Sequence, residues 1–115
     1  MNYQILKELA KILVEVAKKG PGNLITYREL SGCIDNYISP HNLGQPLGTL
    51  SDLAMDNGFP RISALVVNSD TRMPGDGYFR YYAGGIKESE WEKFWKNDLK
   101  SIYSCKNWDD FLRCI

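Results

Sequence analysis

The sequence predicts an α+β fold: a winged helix-turn-helix with a small β-hairpin and extra C-terminal helices. Three observations carry this expectation. An amphipathic N-terminal helix stops at Gly20-Pro21-Gly22. A short capped helix and a glycine-bearing helix follow it. Two β-rich runs, 61–68 and 77–82, then flank a Pro-Gly loop. Helix, capped helix, second helix, strand, loop, strand is the order of a winged helix-turn-helix.

The first helix is expected over 3–19, because Ile5, Leu6, Leu9, Ile12, Leu13 and Val16 recur at three- and four-residue steps and leave the lysines largely off the stripe. Thr26 and Glu29 form the sequence signature of a capping box, opening a helix over about 27–34. Ser39-Pro40 reads as a further helix start, with Ser as cap and Pro in the first turn. Leu43, Leu47, Leu50 and Ala54 repeat at helical spacing, and Pro46 predicts a kink or a re-start. Gly44 and Gly48 leave a bare strip on this helix, which Asn57-Gly58 terminates in a left-handed cap. Ile62, Leu65, Val66 and Val67 predict a strand, and 77–82, densely aromatic, its returning partner across a long loop. Ser89 and Glu92 predict a second capping box and a helix to about 103; Asn107 caps a last short helix.

At 115 residues the chain reads as a single domain, 1–115, with a 24–79 core, a supporting helix at 1–19 and C-terminal helices at 89–114. Its zero net charge argues against a dedicated high-affinity polyanion binder. Cys33, Cys105 and Cys114 lack CxxC spacing and a Cys/His cluster, so reduced thiols and no metal are expected. No cofactor motif is present. The absence of a signal-peptide pattern and of a long apolar run predicts a cytoplasmic protein without membrane association.

Several short segments together resemble the C-terminal domain of the alkylguanine-DNA alkyltransferase and alkyltransferase-like superfamily. Ile25-Thr26-Tyr27-Arg28-Glu29-Leu30-Ser31 is similar to its T-Y-x-x-L-A segment, and Asn42-Leu43-Gly44-Gln45 to the A-V-G segment of its recognition helix. Residues 62–70 are similar to its P-C-H-R-V-V segment and the polar turn after it. The resemblance spans roughly 24–79. It implies a DNA-binding domain in which Tyr27 contacts phosphate near a flipped nucleotide. The family's reactive Cys-His pair is replaced by Ser63-Ala64, and its helix arginine, which fills the space of the flipped base, by His41. A hydroxyl without a base is a poor nucleophile, so no alkyl transfer is expected.

The expected function is therefore non-enzymatic DNA binding that reads a distorted, flipped or modified base. Tyr27, Arg28, His41, Asn42, Gln45 and Arg72 would carry it. The stretch 36–60 holds Asp52 and Asp56 and no Lys or Arg, so positive charge for phosphates would come from Arg28, Arg61, Arg80, the first helix and Arg72 at the expected wing tip, and binding is expected to be weak or shape-dependent. The alternative is a protein-interaction module on the same fold, a small bacterial or phage defence-related regulator or inhibitor, favoured by neutral charge and abundant Trp and Tyr. His41, the sole histidine, also reads as a surface or capping residue, and Asp70 and Asp76 as turn residues.

Overall fold

A computed structural model describes residues 3–115. Among the described residues, six α-helices accompany a two-stranded parallel sheet, an α+β arrangement in which helix predominates. Helix α1, Tyr3–Lys18, runs through the middle of the molecule: Leu9, Ala10, Leu13 and Val14 are fully buried. Its apolar stripe therefore meets neighbours on several sides, including α6, and is more than a support.

Strand β1, Ile25–Thr26, leads directly into α2, Tyr27–Cys33. The capping box is made as expected. The Glu29 amide donates to Thr26 Oγ1 at 3.0 Å, and the Thr26 amide donates to the Glu29 carboxylate at 2.9 Å. Buried Ser31 then ties down the following turn by donating to the Ile38 carbonyl at 2.6 Å.

The predicted re-start at Pro46 is present. A 3-10 turn, Pro40–Asn42, precedes α3, Gly44–Asp56, and Pro46 falls in the first turn of α3, where its missing N–H costs nothing. Ser39 precedes the 3-10 turn, but its side chain makes no cap bond, a correction to the expected cap. At the other end Gly58 has φ +82°, with Phe59 N–H donating to Ala54 O and Gly58 N–H to Met55 O. This double closure requires a left-handed residue, and glycine adopts that conformation without a Cβ penalty.

The expected hairpin does not form. Ile62–Leu65 is a 3-10 helix, and only Val66–Val67 is extended, as β2. Its partner is β1, in parallel, with Ile25 opposite Val66 and Thr26 opposite Val67. Four consecutive buried residues, Ile62 to Leu65, cannot alternate between a dry and a wet face. They form a helical turn packed among α1, α3 and α5. Residues 76–82 are likewise helix α4, Asp76–Tyr82. As a strand this segment would have set Arg80 on the same face as Tyr78 and Tyr82. As a helix it buries Tyr78 and Phe79, half-buries Tyr82 and releases Arg80 and Tyr81 to solvent.

Helices α5, Trp91–Ser104, and α6, Trp108–Arg113, complete the core. The second capping box is not made. A 3-10 turn, Glu88–Glu90, occupies its place, and neither Glu90 nor Asn107 gives a side-chain cap bond. Tertiary packing holds these helices instead. Phe79 stacks on Trp91 at 4.8 Å, and Phe59, Trp108 and Phe111 form a second aromatic cluster. The Trp95 indole donates to Ala64 O at 2.8 Å. No helix among the described residues is long and apolar enough to cross a membrane.

Candidate functional site

One groove of about 740 Å³ opens between the start of α2, the exposed side of α3, the 68–75 loop and α4. Helix α3 forms its floor through two faces of different character. Leu50, Ser51 and Ala54 turn inward, and buried Leu47 sits between the two faces and also lines the groove. Gly44, Gln45, Gly48, Thr49 and Asp52, spaced at three and four residues, line the groove. A Cβ placed on Gly44 or Gly48 would meet nothing within 4 Å, so the expected bare strip is open space.

Of the six residues singled out in the sequence, the groove brings together Tyr27, Arg28, His41 and Gln45. Asn42 is exposed but does not line it. Arg72 is exposed on the 68–75 loop, outside the lining. It is not on a hairpin tip as expected. It takes φ +58°, an uncommon conformation for a residue with a long side chain. Its charge helps hold the Glu29 carboxyl below its ordinary range, although the two backbone and side-chain bonds from Thr26 act more strongly.

Tyr27 is fixed by its own hydroxyl, which accepts from the Gly75 amide at 2.9 Å. Burial raises its pKa, so it stays protonated at neutral pH. A phenol that accepts one bond keeps one O–H to donate, and no acceptor for it occurs among the described residues.

Ser63 lies in the groove, 7% exposed. Fully buried Ser51 donates to Ser63 Oγ at 2.6 Å and accepts from the Ser63 amide at 2.9 Å. No imidazole, carboxylate or ammonium bonds to Ser63 among the described residues, so nothing there draws off its proton.

Asp52 closes the α4 side of the groove. It accepts from Tyr81 at 3.2 Å on one carboxylate oxygen and from Tyr82 at 3.3 Å on the other. Burial first, and then the Asp52 charge, pushes the Tyr82 pKa up to about 12. Asp52 makes no ion pair among the described residues. In the sequence Asp52 reads only as one of two acidic residues in 36–60, yet its spacing of four from Gly48 and eight from Gly44 is the signal that places it on the same helical stripe.

Arg61 is a correction. It reads in the sequence as charge available to phosphate, but it is turned inward. Its guanidinium lies 5.0 Å from the rings of both Tyr82 and Phe94, and its Nε is 3.4 Å from Asp98. That approach pairs charges without the alignment of a hydrogen bond. Tyr78 donates a short bond to the same Asp98. The arginine thus joins α4 to α5. The three cysteines are unpaired, and no group of His, Cys, Asp and Glu among the described residues could hold a metal ion.

Comparison of the chain with protein families, curated proteins and solved structures finds no match in any of the three.

Proposed function

We propose that the chain is a non-enzymatic DNA-binding protein that reads a distorted, flipped or modified base without alkyl transfer. In this reading α2 and α3 are the two helices of a helix-turn-helix, and the 68–75 loop stands where a wing would. The observation that carries it is the convergence in one groove of Tyr27, Arg28, His41 and Gln45 with Ser63. Tyr27, His41 and Ser63 are the positions marked by the resemblance to a DNA-repair family, and the segments that carry them, 27–28, 41–45 and 63, are separate in the chain. A protonated Tyr27 with a free donor suits a phosphate oxygen, and Arg28 adds charge beside it. Arg72 and Arg80, both exposed, supply outer phosphate contacts. Ser63, hydrogen-bonded to another serine and not to a base, supports recognition in place of chemistry.

The test is binding to plain, mismatched and alkylated duplexes across a salt series. Affinity should fall steeply with salt, be higher for distorted duplexes, and drop on combining Tyr27→Ala with Arg72→Ala. No detectable binding at about 50 mM salt would sink the reading. A protein-interaction module remains the second reading. Tyr37 and Tyr81 are exposed at 65% and 68%, and the net charge is zero. Salt-tolerant association with a protein, lost on replacing those tyrosines, would favour it.

A further inference from the structure

We infer that Asp52, held by Tyr81 and Tyr82, is a specificity-determining acceptor that selects nucleobases presenting an amino group. This rests on the DNA reading above and names what the same groove prefers. An ionised carboxylate has about four acceptor positions. Tyr81 donates to one oxygen at 3.2 Å and Tyr82, which also faces the Gly48 carbonyl at 3.5 Å, to the other at 3.3 Å; this orients the group and leaves a position on each oxygen open. No Lys or Arg pairs with Asp52 among the described residues, so the half-buried carboxylate faces the groove without a cationic partner. An incoming N–H donor satisfies it, whereas a keto oxygen in the same place meets lone pair against lone pair.

The rest of the groove decides which donor. Arg28 and Tyr27 line it as well, and they suit an anion. A ligand carrying a negative group and a flat, neutral, donor-bearing edge matches both; an isolated cation matches only Asp52. The open strip at Gly44 and Gly48 gives a planar ring room against the backbone of α3. A nucleotide with an amino-bearing base meets all three conditions. Carboxylates reading base amino groups is established direct-readout chemistry.

The experiment compares the intact protein on duplexes with a single unpaired base in matched pairs: guanine against hypoxanthine, and adenine against purine. Each pair differs by one amino group. Wild-type protein should favour the amino member by about tenfold, the scale of one well-placed base contact. Asp52→Asn should erase that preference while still binding hypoxanthine and purine duplexes. Tyr81→Phe with Tyr82→Phe, which frees the carboxylate without removing it, should reduce it. Equal binding within each pair, or a preference that survives Asp52→Asn, overturns the inference and leaves the DNA reading standing. If no duplex binds, the DNA reading fails. The subsite is then decided by titrating guanosine and inosine while following the α3 backbone amides by NMR. Guanosine-selective shifts lost in Asp52→Asn support it, and their absence overturns it. Argininamide shifting those amides at lower concentration than guanosine also overturns it, and assigns Asp52 to a protein cation.

Discussion

Glu29 and Asp98 show two opposite things a fold does to a carboxyl group. Glu29 receives the Thr26 amide, which stabilises the ionised form and lowers its pKa. The folded state then binds fewer protons than the unfolded chain, so this contribution is present above the unfolded value and lost as pH falls through the folded one. Asp98 is mostly buried, and desolvation raises its pKa, with the Tyr78 bond and Arg61 offsetting only part. Here the folded state holds its proton to higher pH, so stability rises as pH falls across the window between the unfolded and raised values. Urea unfolding between about pH 3 and about pH 6 should therefore give slopes of opposite sign when wild type is referenced to Glu29→Gln and to Asp98→Asn. Slopes of the same sign would contradict the assignment. Tyr27 is a second test at this scale. Tyr27→Phe leaves the Gly75 amide without its acceptor and should cost about 1 kcal/mol of stability, measured by the same denaturation.

Among the elements, α4 separates what the sequence made legible from what it did not. The Thr26–Glu29 box and the Asn57-Gly58 stop are legible because they need only neighbours in the chain, whereas the equally local Ser39 and Asn107 caps are not made. The stripe that built α1 is legible too. The 62–67 and 77–82 segments were misread because buried apolar and aromatic residues favour strands only when a sheet face is there to receive them. For 62–67 the receiving surfaces are α3, α1 and α5, of which α1 and α5 are distant in sequence, and together they accept a helical turn. The Ser89–Glu92 box failed for a related reason. The entry to α5 is set by Phe79 against Trp91, not by its own cap. If 76–82 is a helix, Arg80→Pro removes an interior helical bond at an exposed side chain and should cost about 3 kcal/mol. Gly84→Ala should also destabilise, because a Cβ there would meet the Arg80 carbonyl oxygen at 2.7 Å, and backbone cannot swing aside as a side chain can. Near-wild-type melting of both variants would remove the helical assignment of this segment.

At the scale of the molecule, the groove depends on parts of the chain that contribute nothing to its lining. The 3-10 turn carrying Ser63 is held from behind by the Trp95 indole on Ala64 O. Helix α4, which brings Asp52 its two tyrosines, is held from α5 by Asp98, which accepts from Tyr78 and pairs with Arg61, and by Trp91 stacked on Phe79. The loop before β1 is closed by the Tyr103 hydroxyl donating to Asn23 O at 2.6 Å. Read from sequence, 24–79 is a core with helices added before and after it. In the folded molecule Leu9, Leu13, Leu50, Ile62, Ile102, Trp108 and Phe111 belong to one continuous buried cluster. A fragment of 24–79 would expose most of that cluster's partners, and at under 60 residues it has little surface-to-volume margin. It should show no cooperative unfolding transition and no ordered groove, judged by amide dispersion in NMR spectra. Within the full chain, Trp108→Ala should cost about 3–5 kcal/mol although Trp108 lies outside the groove lining. Because the indole also donates to Ile102 O at 3.0 Å, Trp108→Phe should recover part of the packing and none of that bond. A Trp108→Ala protein as stable as wild type, or a 24–79 fragment that unfolds cooperatively, would contradict this dependence on the C-terminal helices.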